Sequence, residues 1–352
     1  MSLDAIPKMV VHMARRFFSK HPVATPVDLT GKKIIVTGAA VGSIGYLTAK
    51  TFASWGATVV VSTRSNTQTV VDALNSDISD IGSAGKVFGY PLDLSRVDSV
   101  TQFVSSYRKE HGEILDVLVN NAGIHLDLLS EWKQPKLTED QYEIHWRTNY
   151  LGGFQLTQEL IPFLKNSGKE TGDARVVNVV SHLHTKGINS AFGEEKPEYN
   201  SWQAYGQSKL ALVHHAFEIE RKYGKQGVHA YAVHPGSVYS NIAHKGLDGH
   251  KLLQAVRNSL GFIEKRLLLT TEQGAQTQIY CAVDHQAQPG KYYQRCQVKD
   301  PSAETQDEQV AANLWKATTE WHKKVSKVAD ISKKSNGQHK GIKTNGESHC
   351  IF

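Results

Sequence analysis

Tyr205 and Lys209 stand four residues apart in Trp202-Gln-Ala-Tyr-Gly-Gln-Ser-Lys-Leu-Ala-Leu. On a helix that spacing puts both side chains on one side, so an ammonium can sit beside a phenol. A free phenol has a pKa of about 10, and an adjacent cation favours the phenolate, which suits the group to give or take a proton near neutral pH. The same spacing also describes a half-buried ring under a lysine reaching for water. The pair gains chemical meaning only from the elements that position it.

Those elements alternate. From Lys33 the run Ile34-Ile35-Val36 reads as a buried strand leading into Thr37-Gly38-Ala-Ala-Val-Gly42-Ser43-Ile44-Gly45, after which Tyr46, Leu47, Ala49 and Phe52 give a helical pattern. Strand, glycine turn and helix bring the backbone close to a pyrophosphate and aim free amides at it; a tight connection with no ligand has the same look. A second strand over 58–62 ends in Thr63-Arg64 with no carboxylate. An acid there would take a ribose 2′-hydroxyl, whereas an arginine suits a 2′-phosphate, so NADP is favoured over NAD unless Arg64 simply lies on the surface. Helical periodicity over 70–81, a strand over 87–92 delivering Asp93, a helix over 97–111 and a strand ending in Asn120-Asn121-Ala122-Gly123 follow. Next come a helix over 152–164 just after Asn149, a strand over 175–180 delivering Ser181, the Tyr205 helix to about 223, and a strand over 228–234 ending in Pro235-Gly236-Ser237-Val238. A helix through Ala282, a short strand over 291–293 and a helix over 310–325 complete the pattern. This order predicts an α/β fold: one Rossmann-type, doubly wound parallel sheet of about seven strands with helices on both faces and ligand groups at the strands' carboxyl ends.

The 352 residues, 40% hydrophobic and without an apolar run near 18 residues, fit one large globular domain. Its expected span is 29–325, preceded by an amphipathic helix and linker over 1–28 and followed by a basic tail over 326–352 that reads as disordered. The first helix is too short to cross a bilayer; it either packs on the domain or lies on a membrane surface. A loop carrying Gly187, Gly193, Glu194, Glu195 and Pro197 borders the expected substrate site, and an apolar-rich stretch over 239–269 reads as its lid. The net charge of +6 is concentrated from Lys323 onward, where seven lysines face only Asp330 and Glu347. The body is nearly neutral, which argues against a nucleic-acid face. Three unclustered cysteines give neither a disulfide framework nor a zinc site. His182, His184, His214 and His215 have no carboxylate or cysteine partner at ligand spacing and are read as polar packing or pocket lining, not metal ligands. A cytosolic protein with at most peripheral membrane attachment is expected.

Taken together, Thr37-Gly38, Asp93, Asn120-Asn-Ala-Gly123, Asn149, Ser181, Tyr205 with Lys209, and Pro235-Gly236 resemble the short-chain dehydrogenase/reductase family over roughly residues 30 to 322. Within it the chain is most similar to the retinol dehydrogenase-like reductases and their relatives that carry WW domains; no WW domain is visible here. The stretches Asn149-Tyr-Leu-Gly-Gly-Phe, Arg175-Val-Val-Asn-Val-Val-Ser181, Tyr205-Gly-Gln-Ser-Lys-Leu-Ala, His234-Pro-Gly-Ser-Val and Glu272-Gln-Gly-Ala-Gln-Thr carry that likeness. The resemblance implies hydride transfer between a nicotinamide and a lipophilic alcohol or carbonyl compound of the retinoid, steroid, prenoid or long-chain aldehyde class. It implies that Tyr205 handles the proton, Ser181 binds the substrate oxygen, Lys209 lowers the tyrosine's pKa and holds the ribose, and Asn149 maintains a water path. The cofactor cradle it implies comprises Gly38, Gly42, Ser43, Ile44, Gly45, Arg64, Asp93, Asn120, Ala122, Gly123, Tyr205, Lys209, Pro235, Gly236 and Val238.

Two positions depart from the family's pattern. Ser43 and Ile44 both separate Gly42 from Gly45, one residue more than usual, and Val180 stands before Ser181 where relatives often have a second serine. The competing reading of the chain is a cofactor-sensing or scaffolding protein that keeps the fold but has lost useful catalysis.

Overall fold

The computed structural model describes residues 21–126, 132–192, 198–238 and 269–335. Residues 1–20 of the expected N-terminal helix and linker (1–28), 239–268 of the expected lid (239–269) and 336–352 of the expected tail (326–352) lie outside the described residues, as do 193–197 of the loop before the Tyr205 helix.

Eight strands form one sheet in the order β3-β2-β1-β4-β5-β6-β7-β8: β1 (Lys33–Thr37), β2 (Thr58–Thr63), β3 (Lys86–Pro91), β4 (Val117–Asn120), β5 (Ala174–Val179), β6 (Val228–His234), β7 (Lys291–Gln294) and β8 (Gln297–Lys299). The first seven are parallel, and β8 returns antiparallel against β7. The sequence reading of about seven strands thus accounts for the parallel part. β8 is three exposed residues with no apolar alternation to announce it.

The central strands are apolar on both faces because both are covered. Ile34, Val36, Val117, Val119, Val177 and Val179 face one core, with α1 (Ile44–Ser54), α2 (Thr67–Ser79) and α6 (Thr271–Val283) packed over them. Ile35, Leu118 and Val176 face the other, under α3 (Val97–His111), α4 (Gly152–Thr171) and α5 (Ser201–Tyr223). Alternate residues of one strand therefore feed two cores, and each buried Val or Ile contributes roughly 1.5–3 kcal/mol. The last helix, α7 (Glu308–Ser335), lays Leu314, Trp315 and Trp321 on the second core. It runs ten residues past the end expected at 325, through a stretch free of Gly and Pro until Gly337. No helix among the described residues is long and apolar enough to cross a membrane.

Strand order reverses between β1 and β4, whose carboxyl ends carry Thr37-Gly38 and Asn120. A crevice at such a switch point is where an open parallel sheet binds ligands.

Candidate active site

The glycine turn after β1 is built by close backbone approach. Gly38 has a φ of +71°, and a Cβ there would lie 2.8 Å from the Ala122 Cα; one at Gly45 would lie 2.7 Å from the Gly38 carbonyl oxygen and 2.5 Å from Asn121 Nδ2. Thr37 Oγ1 accepts from the backbone N–H groups of Asn121 (3.0 Å) and Ala122 (3.0 Å), while Asn121 Nδ2 donates to the Thr37 carbonyl at 2.8 Å. The extra residue is absorbed where there is room. Gly42, at φ +76°, has nothing within 4 Å of its would-be Cβ, and Ser43 becomes the N-cap of α1 by accepting from Tyr46 N at 3.1 Å. Ile44 and Gly45 open the helix, so its amide end still faces the turn.

Other cradle residues meet the crevice in different ways. A Cβ at Gly274 would lie 2.5 Å from Val238 Cγ2 and 3.3 Å from Ile44 Cδ1, so Val238, four residues beyond β6, and Ile44 of α1 close together over α6. Gly236 follows Pro235 at φ +90°. Arg64 is exposed just beyond β2, and Asp93, beyond β3, accepts from the Ser95 hydroxyl at 2.6 Å. The Asn120 side chain turns away: its Nδ2 donates to Thr157 Oγ1 (3.0 Å) and Asn178 Oδ1 (2.9 Å) inside the core, leaving only backbone toward the crevice. Asn121, absent from the expected cradle, is the residue whose side chain ties the two halves of the switch point.

Ser181, Tyr205, Lys209 and Asn149 converge at the carboxyl ends of β4 and β5. Ser181 caps a 3-10 turn, His182–Lys186, by accepting from Leu183 N, and His184 Nδ1 donates to the Ser181 carbonyl at 2.7 Å. His184 Nε2 accepts from Ser302 N at 3.0 Å, which fixes its tautomer and fits the packing role expected for this histidine. Asn200 starts α5 as N-cap, accepting from Trp202 N and Gln203 N, and so sets where Tyr205 and Lys209 fall on the helix. Asn149 lies within a π-helical segment, Trp146–Leu151, of the kind that often marks a functional position. Its Oδ1 accepts from Ile124 N (2.8 Å) and its Nδ2 donates to Ile124 O (3.0 Å) and Ser208 Oγ (3.1 Å). That set fixes the amide orientation and uses both of its donors.

The electrostatics differ from the simplest expectation. Burial pushes the Tyr205 phenol up to about 12, opposed only in part by a hydrogen bond from the Ser181 hydroxyl. Burial likewise pulls Lys209 down to about 8. A cation at the phenol oxygen would lower the tyrosine, but Lys209 Nζ lies 5.7 Å from the ring centroid and donates to the Val179 carbonyl at 3.0 Å, so desolvation dominates. Gly123 leaves Lys209 open to the crevice: a Cβ there would stand 3.1 Å from Nζ and 3.4 Å from Asn149 Oδ1.

Rings not anticipated from the sequence surround the phenol. His125 stacks on Tyr205 with centroids 4.1 Å apart, while His145 and Trp202 meet these rings edge-on. The site therefore pairs a buried phenol and ammonium with an aromatic wall, beside a turn with no room for side chains at Gly38 and Gly45.

Comparison with known proteins agrees with this geometry. Residues 32–250 match the family model described as short chain dehydrogenase. Retinol dehydrogenase 12 of Mus musculus is 33% identical over 311 residues, covering 87% of this chain and 91% of the relative, and retinol dehydrogenase 11 of Homo sapiens is 32% identical over 312 residues with the same coverage. Among solved structures, a short-chain type dehydrogenase/reductase from Mycobacterium marinum superposes with a TM-score of 0.57 at 22% identity, over 75% of this chain and 94% of that one. The L-sorbose reductase of Gluconobacter frateurii, complexed with NADPH and L-sorbose, gives 0.57 at 17% identity over 76% and 96%. The chain belongs to the short-chain dehydrogenase family and is an NAD(P)-dependent oxidoreductase of alcohol or carbonyl groups.

Proposed function

We propose that the protein interconverts a lipophilic alcohol and its carbonyl compound with NADP, and that Tyr205 handles the proton. The observation that carries this reading is the convergence of Ser181, Tyr205 and Lys209 beside Gly123, next to a glycine turn with no room for side chains at Gly38 and Gly45. A bound nicotinamide supplies or accepts the hydride. The chain's own residues do the rest. The Ser181 hydroxyl holds the substrate oxygen, and the Tyr205 O–H gives its proton to that oxygen on reduction and takes one back on oxidation. Lys209 keeps donors in excess of its bond to Val179, and these would hold a ribose hydroxyl of the cofactor. Asn149 fixes the Ile124 backbone, next to Gly123.

NADP is favoured because Arg64, exposed just beyond β2, stands where a carboxylate would serve NAD. A lipophilic substrate in the retinoid, steroid, prenoid or long-chain aldehyde class is favoured by the rings of His125 and Trp202 around the phenol and by the retinol dehydrogenase relatives. Incubation of the purified protein with NADPH and a panel of such aldehydes and ketones should consume the nicotinamide absorbance. Tyr205→Phe should lower turnover by roughly a hundredfold to ten-thousandfold while NADPH still binds. Full turnover in that variant would refute the assignment.

A further inference from the structure

We propose that Glu143 is a positioning residue for the Tyr205 chemistry, a buried carboxylate that ties together the three segments converging on the phenol; the inference rests on Tyr205 being the proton-transfer group. Glu143 is only 5% exposed, and its two oxygens accept three hydrogen bonds. Oε2 accepts from Trp146 N at 2.7 Å, which fixes the start of the π segment that carries Asn149. Oε1 accepts from the Tyr199 hydroxyl at 2.9 Å, and Tyr199 directly precedes Asn200, the N-cap of the Tyr205 helix. Oε1 also accepts from His145 Nδ1 at 2.8 Å.

The third bond reaches the phenol. His145 is fully buried, and its Nε2 accepts from Leu126 N at 3.2 Å, so the ring proton sits on Nδ1, where the carboxylate takes it. Held this way, His145 presents its ring edge-on to Tyr205, with centroids 6.0 Å apart and planes at 86°. It also anchors Leu126, the neighbour of His125, whose ring stacks on the phenol and lies 6.0 Å from that of His145. Loss of the carboxylate frees His145 to move its proton to Nε2, where it would point at the Leu126 N–H. The chain 125–126 must then shift, and with it the ring against which Tyr205 is aligned. An amide at 143 has a single acceptor oxygen for three donors, and its NH₂ group must face either Trp146 N–H or the His145 Nδ1 proton.

The test uses the purified full chain with NADPH and, as carbonyl probes, all-trans-retinal and nonanal. Glu143→Gln should leave the NADPH Kd within about twofold and lower kcat by roughly tenfold to a hundredfold with a smaller change in KM, as expected when reacting groups are misplaced by a fraction of an ångström. Tyr199→Phe removes one donor but keeps the carboxylate and its tie to His145; it should lower kcat several-fold without moving the melting temperature. This second variant decides the matter if Glu143→Gln does not fold. Unchanged kcat in either folded variant, while Tyr205→Phe is inactive, overturns the role of Glu143 and leaves the catalytic reading standing. Activity in Tyr205→Phe overturns both.

Discussion

The imidazole of His125 lies parallel to the phenol of Tyr205, with centroids 4.1 Å apart and planes inclined by 12°. The stack covers one face of the ring, while Trp202 backs His125 edge-on at 5.0 Å. Such a contact contributes about 0.5–1.5 kcal/mol beyond area burial. His125→Leu keeps apolar cover but removes the flat partner, so kcat should fall roughly threefold to tenfold with a smaller change in KM. Steady-state kinetics check this; an unchanged kcat would mean that the ring is aligned without the stack.

Burial of Lys209 carries a stability cost. Its folded pKa, pulled down to about 8 by burial, lies below the free value of 10.5. Between those values the unfolded chain holds a proton that the folded chain has released, so this group makes stability rise with pH from about 8 to 10.5 and withholds that gain below 8. Tyr205, pushed up from 10.0 to about 12, acts in the opposite sense: its contribution is present below pH 10 and is lost as pH rises toward 12. Lys209→Met should therefore abolish useful turnover yet leave the protein no less stable at pH 7, because removal of a depressed buried lysine regains about 3 kcal/mol, less the lost bond to Val179. Urea melts at pH 7.5 and 9.5 should show a rise in the parent protein that is smaller in the variant.

Two glycines of the same turn should respond differently. A Cβ at Gly45 meets the Gly38 carbonyl and an Asn121 amide already committed to the Thr37 and Gly38 carbonyls, so relief requires moving backbone or breaking those bonds. Gly45→Ala is expected to cost about 2–4 kcal/mol. Gly42→Ala meets no atom within 4 Å and incurs only the left-handed strain of its φ of +76°, about 1 kcal/mol. Thermal melts of the two variants without cofactor rank the costs; a larger loss at Gly42 would show that the added residue is not accommodated in open space.

The bounds of α3, and the end of α5 at Tyr223, follow from features written locally: apolar spacing in the first, Gly224 and a polar break after the second. β6 likewise ends where Pro235 withdraws its N–H. The positions of Ser181, Tyr205 and Lys209 at the crevice were legible because each sits at a strand end or a fixed helical spacing. The contacts of Glu143, His145 and His125 were not, since they form only when distant segments meet: Tyr199, 56 residues beyond Glu143, reaches the carboxylate that also holds His145, and Tyr205 reaches the ring of His125. The raised phenol was hidden for the same reason: sequence shows that a lysine is near but not that both groups lose water. The π segment left no trace because one extra residue per turn does not disturb the apolar pattern of Trp146, Tyr150 and Leu151.

Arg64 offers a direct test of cofactor choice. It stands exposed one residue beyond β2, and Asn66 in the left-handed region follows it at the N-cap of α2, so the guanidinium rises from a short, defined turn. A 2′-phosphate in reach of that group gains a charge-assisted contact that a 2′-hydroxyl does not. The difference is about 1.5–3 kcal/mol, which corresponds to roughly tenfold to a hundredfold in Kd. Arg64→Ala should weaken NADPH by that factor and leave NADH nearly unchanged, and the NADPH Kd of the parent protein should rise with salt more steeply than that of the variant. Fluorescence titration with both cofactors at two salt concentrations measures the four constants. Equal losses for NADPH and NADH would remove Arg64 from the 2′-phosphate and shift the basis of any preference to another part of the turn.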